Sequence, residues 1–256
     1  MRIKDLPRAT RRCGPVGAAK LWTARRKLRR LLPRLARLDL KGFEFPGWFR
    51  RVSSDRYVIV EVLLRDQYAC LTDHANVETI LDVGANIGTA SLYLLNRYPT
   101  ARLVALEPDP DSFEMLEMNL RPYGRRATAI RAALWPRAEP LFVDRGHFRD
   151  GAEWSFQVTD EPLPSAPRVP GVPFATVLDD AAIDFADIVK IDVEGAERLL
   201  FQDALGGALD RIGLLAVELH DHECRQRFFD MIAGRPGELS RVGEVTMWNQ
   251  RTGVAR

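Results

Sequence analysis

The stretch ILDVGANIGTAS, residues 80–91, decides the fold of this chain. A short apolar run ends in a glycine-rich turn, and a helical pattern begins directly after it. The next apolar run, LVALEP, carries an acidic residue, Glu107, at its end. A strand–turn–helix unit of this kind binds a nucleoside, because the turn lets the backbone approach the ligand and the acid accepts hydrogen bonds from ribose hydroxyls.

The spacing of the turn separates two cofactor classes. The turn consists of Gly84, Ala85, Asn86, Ile87 and Gly88. A dinucleotide-binding turn follows G-x-G-x-x-G, and Asn86 occupies the place of the second glycine, which would touch a pyrophosphate. Asp82 adds a carboxylate that would repel a pyrophosphate but suits a ligand with an ammonium and a sulfonium. The pattern favours S-adenosylmethionine over NAD, and we expect Ala85 to contact the cofactor with the rest of the turn.

Apolar runs alternate with helical patterns along the rest of the chain. Val58–Leu64 alternates loosely and predicts a strand, and Arg65–Leu71 predicts a helical turn. TAIRAAL (128–134), DIVKIDV (187–193) and IGLLAVEL (212–219) are the third, fourth and fifth core runs. Mostly apolar strands suit burial on both faces of a sheet, and the alternation implies parallel order. We predict an α/β fold with a doubly wound, mostly parallel sheet.

Residues 136–175 interrupt this alternation, because they are rich in proline and have no helical period. We predict a β-rich insertion between the third and fourth core strands. An insertion there lies over the carboxyl edge of the sheet, where ligands bind in such folds. It would form a lid or substrate wall with Trp135, Trp154 and Ser155 as candidate contacts, and the alternative is a solvent-exposed loop.

Composition and cysteine usage favour a cytoplasmic enzyme. The chain has 256 residues, 46% of them hydrophobic and 28% charged, which is enough for one α/β core and a small addition. No apolar run approaches the roughly 18 residues of a membrane span, and we expect no signal peptide. The cysteines, Cys13, Cys70 and Cys224, fit neither a disulfide framework nor a zinc site.

Positive charge is concentrated in the first 40 residues, which hold 13 lysines and arginines against two aspartates, whereas the whole chain carries +2. The run LWTARRKLRRLLPRLARL (21–38) predicts amphipathic helix, with a second short helix beginning at Pro33. We predict a basic helical extension over residues 1–55 and a cofactor-binding domain over 56–256. Such an extension could contact an anionic membrane surface, nucleic acid or an acidic partner, or simply pack its leucines on the domain.

A second informative segment is DIVKIDVEGAE, residues 187–197. Its strand ends at Asp192, and Glu194 follows directly. The fifth strand ends with Glu218 and His220, which alternation places on one face, and adjacent parallel strands bring their ends together. Buried strand ends rarely carry this much charge for structural reasons alone. We predict that these four side chains converge beside the cofactor.

Together these segments resemble the FkbM family of S-adenosylmethionine-dependent methyltransferases. The resemblance rests on LDVGANIG, ALEPDP and DIVKIDVEGAE and extends from about Glu61 to His220. It implies the Rossmann-like fold of class I methyltransferases and O-methylation of a hydroxyl on a sugar, glycolipid or polyketide-like natural product. The family pattern places the cofactor site at Asp82, Gly84, Asn86, Gly88 and Glu107, with Ala133 beside the adenine.

The expected chemistry is transfer of a methyl group from a sulfonium to a hydroxyl oxygen. The acceptor oxygen must lie in line, about 3 Å from the methyl carbon, and a positioned base assists by removing the hydroxyl proton. His220 or Asp192 is the candidate base, with Glu194 orienting the acceptor. A divalent ion held by Asp192 and a neighbour is a second mechanism that the sequence leaves open.

The main alternative is a methyltransferase acting on RNA or another nucleic acid, because the N-terminal segment is basic. Against it, the fourth strand lacks the N-P-P-aromatic run used for exocyclic amines. A small-molecule or glycan acceptor is therefore preferred. A cofactor-binding module without catalysis is disfavoured by the cluster of acids with His220, and an NAD oxidoreductase is disfavoured by Asn86.

Overall fold

The predicted strand–turn–helix unit is present in the computed structural model, where a strand ends at Val83 and a helix begins at Thr89. The structure describes residues 3–23, 34–51, 53–145, 156–193, 199–201 and 205–250. The strands are β1 Leu35–Leu38, β2 Gly47–Arg50, β3 Thr79–Val83, β4 Arg102–Leu106, β5 Ala127–Ile130, β6 Ala133–Leu134, β7 Glu139–Asp144, β8 Gln157–Thr159, β9 Arg168–Val172, β10 Ala186–Ile191, β11 Ile212–Glu218, β12 Glu238–Val242 and β13 Val245–Asn249. The helices are α1 Leu6–Thr23, α2 Asp55–Ile59, α3 Thr89–Arg97, α4 Pro110–Leu120, α5 Phe174–Asp180 and α6 His222–Ile232.

Seven strands form the central sheet, in the spatial order β12-β13-β11-β10-β3-β4-β5. The five strands from β11 to β5 are parallel, and β13 and β12 continue the sheet antiparallel at one edge. Every residue of β3, β10 and β11 is buried, as apolar strands covered on both faces must be. The predicted doubly wound, mostly parallel α/β sheet is confirmed.

The insertion after β5 forms a separate four-stranded sheet, in the order β6-β9-β7-β8. This confirms the predicted β-rich insertion. Trp135, a candidate ligand contact, is buried within the insertion, and its indole N–H donates to Glu139 at 2.7 Å. It does not line the cavity described below, so that prediction is wrong. Trp154 and Ser155 lie outside the described residues.

The N-terminal extension is only partly helical. Helix α1 is present, with a break at Cys13 and Gly14. Leu35–Leu38, which the sequence assigns to a second helix, is instead strand β1, antiparallel to β2. Ala36 and Leu38 are buried and alternate with the exposed Leu35 and Arg37, as in a strand with one buried face. The two leucines are three positions apart, which is a helical spacing, so the leucine pattern alone predicts the wrong element. The helical prediction for this segment is therefore wrong.

The predicted strand at Val58–Leu64 is also wrong, because α2 continues there into a π-helical turn over Val60–Leu64. Four of the five residues in that turn are buried, which leaves no alternation to identify a strand. A short 3₁₀ turn follows at Ala69–Leu71, within the predicted helical turn. No helix among the described residues is both long enough and apolar enough to cross a membrane.

Candidate active site

A cavity of about 1090 Å³ opens at the carboxyl ends of β3, β4, β10 and β11. Parallel strands bring the loops that follow them to one edge of the sheet, and ligands bind there in doubly wound folds. The lining includes Gly84, Ala85, Asn86, Glu107, Asp192 and His220. The fold therefore gathers predicted cofactor residues and predicted catalytic residues around one space.

The glycine turn uses its own backbone amides. All five N–H groups of residues 84–88 donate within the protein. Two of them donate to the carbonyl of Leu106 at 3.0 and 2.9 Å, and that of Asn86 donates to a carboxylate oxygen of Glu107 at 2.7 Å. A pyrophosphate is bound by unoccupied amide donors at such a turn. This turn therefore offers no cradle for a dinucleotide.

Gly84 lies where the ends of two strands almost touch. Its φ is +74°, and a Cβ at this position would stand 1.9 Å from the backbone carbonyl oxygen of Asp192. No other residue can make this approach, since the atom in the way belongs to the backbone. The close contact holds the turn after β3 against the end of β10.

Glu107 follows β4 and faces the cavity with a buried carboxyl group. Its two oxygens accept hydrogen bonds from the amides of Asn86 and Asp109, at 2.7 and 2.9 Å. Burial raises the pKa of Glu107 to about 7, although these two amides oppose the shift. Each carboxylate oxygen can accept a second hydrogen bond, so the group can still bind a pair of ligand hydroxyls.

Asp82 does not line the cavity, although the sequence predicts a cofactor contact for it. The side chain is fully buried, 3.0 Å from the ammonium of Lys190, and it accepts a hydrogen bond from Ser91 at 2.6 Å. Asp82 and Lys190 are register partners on β3 and β10, so the sheet itself sets this pair. A direct contact between Asp82 and a cofactor does not agree with this geometry.

Lys190 links the glycine turn to the acidic cluster. Its ammonium donates to the carbonyl of Gly84 at 2.9 Å and stands 3.8 Å from Asp192. Burial alone would lower the pKa of Lys190, but the charges of Asp82 and Asp192 outweigh burial and raise it. The residue therefore stays cationic inside the sheet and fixes the positions of both neighbours.

Three of the four side chains predicted to converge do meet. The ligand-type atoms of Asp192, Glu218 and His220 lie within 4.8 Å of one another, and the imidazole Nε2 of His220 is 3.6 Å from Asp192. All three line the cavity. The fourth, Glu194, lies outside the described residues.

Sequence reasoning missed two further members of this cluster. The hydroxyl of Tyr68 forms a hydrogen bond with Glu218 at 2.6 Å, and that hydroxyl is 3.2 Å from Asp192. Gln67 also donates to Glu218, at 2.7 Å. Both lie in the segment after α2 and are far from the acids along the chain. Only the polar run RDQY (65–68), directly after an apolar stretch, hinted at them.

The cluster does not fit a divalent cation. Its spacing would allow one, but the ammonium of Lys190 already stands beside Asp192, and one oxygen of Glu218 is engaged by hydrogen bonds with Gln67 and Tyr68. A second cation at this place would be repelled by the first. The divalent-ion mechanism is not supported.

The remaining predicted cofactor residues differ in position. Ala133 lines the cavity beside its neighbours Ala132 and Leu134. Gly88 does not line it: this residue caps α3 with a φ of +83°, and a Cβ there would meet the side chain of Leu116 at 2.8 Å. Gly88 therefore serves the packing of α3 against α4.

Comparison with known families decides the kind of protein. The sequence model described as the methyltransferase FkbM domain matches residues 82–247. The chain belongs to the FkbM methyltransferase family. It carries an S-adenosylmethionine-dependent methyltransferase domain, which agrees with the cofactor class that the glycine turn predicted.

Two curated relatives of this FkbM protein are much longer than the regions matched. The chain is 45% identical over 56 residues to the methyltransferase sdnD of Sordaria araneosa, covering 19% of this chain and 22% of that protein. It is 27% identical over 176 residues to the AMB antimetabolite synthetase AmbE of Pseudomonas aeruginosa PAO1, covering 56% of this chain and 8% of that protein.

Among solved structures, the FkbM protein is similar to the tRNA (uracil-54, C5)-methyltransferase of Pyrococcus abyssi in complex with S-adenosyl-L-homocysteine. The TM-score is 0.48 at 15% identity, and the alignment covers 85% of this chain and 44% of that one. A likeness of this size concerns the fold alone.

Proposed function

We propose that this FkbM protein is an O-methyltransferase that transfers the methyl group of S-adenosylmethionine to a hydroxyl of a sugar, glycolipid or polyketide-like natural product. The observation that carries the proposal is the convergence of Asp192 and His220 with the glycine turn and Glu107 around one cavity. A cofactor held by the turn would present its methyl group to the acidic cluster. Residues 56–256 supply the catalytic domain in this proposal.

The cofactor fits the lining in one orientation. Glu107 would accept hydrogen bonds from the ribose hydroxyls with the oxygen lone pairs that Asn86 and Asp109 leave free. Ala133, with its apolar neighbours, would pack against the adenine. The methionine part would then lie over Gly84, which lines the cavity. The bound cofactor supplies an electrophilic methyl group on a cationic sulfur.

The protein's own contribution is alignment and proton removal. Asp192 or His220 takes the proton of the acceptor hydroxyl as the new bond forms, which accelerates such reactions by about 10² to 10⁴. Glu194 orients the acceptor in this proposal. In-line placement of the acceptor oxygen contributes further, because the reaction then needs no encounter between free reactants.

Calorimetry and a transfer screen test this function. The intact protein should bind S-adenosylhomocysteine and should not bind NAD, since the amides of the turn are occupied. A screen with radiolabelled S-adenosylmethionine over sugar nucleotides, glycolipids and macrolides should reveal an alkali-stable methyl ether. Absence of S-adenosylhomocysteine binding, or transfer only to RNA, would refute the proposal.

Cofactor affinity should depend on pH through Glu107. Its pKa of about 7 is above the ordinary 4.5, so the folded protein holds this proton to higher pH than the unfolded chain. The carboxyl's contribution to stability therefore falls as pH rises from about 4.5 to about 7. Ribose hydroxyls donate more strongly to the ionised form, so S-adenosylhomocysteine should bind about tenfold more tightly at pH 8 than at pH 6.

The control is Glu107→Gln, which should bind weakly at both pH values because an amide cannot ionise. Calorimetry at pH 6, 7 and 8 measures both proteins. An unchanged affinity across this range in the wild type would contradict the assignment of Glu107 to the ribose.

Helix α1 and the 3₁₀ turn Ile3–Asp5 before it are joined to the rim of the cavity by ion pairs. Asp5 pairs with Arg65 at 3.6 Å, and Arg12 pairs with Asp66. Both rim residues line the cavity. A surface that binds α1 would therefore lie close to the mouth of the active site.

The exposed residues of α1 and of the 3₁₀ turn just before it suit an anionic membrane surface, such as the inner leaflet that a cytoplasmic enzyme meets. Lys4, Arg8 and Arg11 are exposed and make no ion pair within the described part of the chain, and Leu6 and Val16 are exposed on the same helix. Cations beside exposed aliphatic side chains are typical of helices that bind at a lipid interface.

Arg8→Glu with Arg11→Glu should therefore weaken partitioning onto phosphatidylglycerol vesicles, measured by sedimentation, by at least about 30-fold, since the two lost cations together contribute about 2 kcal/mol. The matched control is Arg121→Glu with Arg125→Glu, an exposed pair elsewhere on the surface, which should sediment like the wild type. Equal sedimentation with neutral vesicles, or salt-sensitive binding to RNA in place of vesicles, would overturn this part of the proposal.

A further inference from the structure

Three oxygen atoms form a row on the wall of the cavity. The hydroxyl of Tyr68 lies 2.6 Å from Oε1 of Glu218 and 3.2 Å from Oδ2 of Asp192. A tyrosine hydroxyl carries one hydrogen, so it can donate to only one of the two carboxyl groups at a time. The other oxygen–oxygen contact needs a hydrogen of its own. The row is therefore complete only when one of the two carboxyl groups is protonated.

The surroundings of the two carboxyl groups decide which one keeps that proton. Glu218 is buried, and its contacts from the segment after α2 are the neutral side chains of Gln67 and Tyr68. The side chain of Asp192 is 29% exposed and stands 3.8 Å from the ammonium of Lys190. Negative charge is more favourable beside water and a cation than in a buried, neutral setting.

We propose that Glu218 is the neutral member of this pair, donating its proton to Tyr68, which in turn donates to an ionised Asp192. This inference rests on the proposed O-methyltransferase function and deepens it, because it makes Asp192 the base. Glu218 and Tyr68 are positioning residues, since they act on the substrate only through Asp192.

Other charged and titratable groups face this row. Lys190 and Asp82 come from β10 and β3, and His220 follows β11. Cys70 lies in the 3₁₀ turn, with Arg241 and Glu244 in the β12–β13 hairpin. Burial and the charge of Asp192 raise the pKa of Glu218 to about 8, against the opposing effects of the hydrogen bond with Tyr68 and the charges of Lys190 and His220. Burial also raises the pKa of Tyr68, so its hydroxyl keeps its hydrogen.

The proton balance of the reaction follows. A lone pair of the acceptor oxygen forms a bond to the methyl carbon while the carbon–sulfur bond breaks and its electron pair returns to sulfur. The hydroxyl proton passes to Asp192, and from there to water through the exposed side of that carboxyl group. Glu218 and Tyr68 keep their own hydrogens throughout. The products are the methyl ether, S-adenosylhomocysteine and one proton.

Difference infrared spectroscopy tests the protonation directly and needs no acceptor. The spectrum of the wild type minus Glu218→Gln at pH 7 should show the carbonyl band of one protonated carboxyl group. The surface variant Glu117→Gln is the matched control and should show the loss of an ionised carboxylate instead. A carboxylate band for Glu218→Gln would overturn the inference, whatever the methyl-transfer screen gives.

Kinetics supply the second readout. Glu218→Gln keeps a donor to Tyr68 and should lower kcat by about 3-fold, whereas Glu218→Leu should lower it by about 30-fold. Tyr68→Phe removes a donor to Asp192 and should move the acidic limb of the kcat/KM profile to higher pH. If Glu218→Gln is as slow as Glu218→Leu, or if the limb does not move, the inference is wrong. Calorimetry with S-adenosylhomocysteine in each variant shows whether the fold is retained.

Discussion

Changing Asp192 to asparagine should lower kcat by about 10² to 10⁴ while leaving the affinity for S-adenosylhomocysteine within about threefold of the wild type. The carboxylate is the proposed acceptor of the substrate proton, and an amide of the same shape cannot take it. Because Asp192 meets the glycine turn through its backbone carbonyl, the substitution leaves the cofactor contact in place. Turnover with the best acceptor and calorimetry measure the two quantities separately.

The matched control uses the opposite end of the same strand. Asp184 precedes β10 and is exposed, so Asp184→Asn should leave both turnover and affinity unchanged. His220→Gln should lower kcat by about tenfold, since the imidazole lies 3.6 Å from Asp192 and helps to position that carboxylate. Normal turnover in both Asp192→Asn and His220→Gln would remove these residues as bases.

Changing Gly84 to alanine should have the largest effect on the folded state. The new methyl group would stand 1.9 Å from the carbonyl oxygen of Asp192, and the φ of +74° adds strain. Relief requires β3 and β10 to separate at the end that carries the site. We expect a loss of about 3 kcal/mol or more in the free energy of unfolding, and at least about 100-fold weaker S-adenosylhomocysteine binding.

The variant Gly124→Ala separates the effect of backbone strain from the effect of the clash. The φ of Gly124 is +58°, but a Cβ there meets nothing within 4 Å, so Gly124→Ala carries the strain without the clash. It should cost about 1 to 3 kcal/mol, because a φ of 58° with a ψ of −128° is unfavourable for an L residue, and it should leave cofactor binding intact. Urea unfolding and calorimetry measure both variants. If Gly84→Ala is no worse than Gly124→Ala, the close approach of the two strand ends is not what positions the turn.

The sequence predicts the part of the site whose residues lie just after the ends of the parallel strands. Gly84, Glu107 and Asp192 each come directly after an apolar strand, and His220 is two residues beyond one. Parallel strands bring the residues that follow them to one edge of the sheet. The sequence does not predict which way a side chain points once it arrives. Asp82 illustrates this, because the lysine opposite it on β10 takes its carboxylate away from the cavity.

Two features of the structure cannot be predicted from the sequence: a contact between distant residues and the conformation of short apolar segments. Tyr68 and Glu218 are 150 positions apart, and no local pattern links them. Short apolar segments also have no decisive period: Val58–Leu64 is helical and Leu35–Leu38 is a strand, each the reverse of what spacing predicts. Tertiary packing of these segments settled their conformation.

The wall formed by Gln67 and Tyr68 has a practical consequence for where this enzyme begins. The match to the family model starts at residue 82, yet Gln67 and Tyr68 precede that residue and contact Glu218 inside the matched region. A shortened protein that begins at residue 82 would lose one side of its own pocket. Its inactivity would then say nothing about the chemistry of the intact chain.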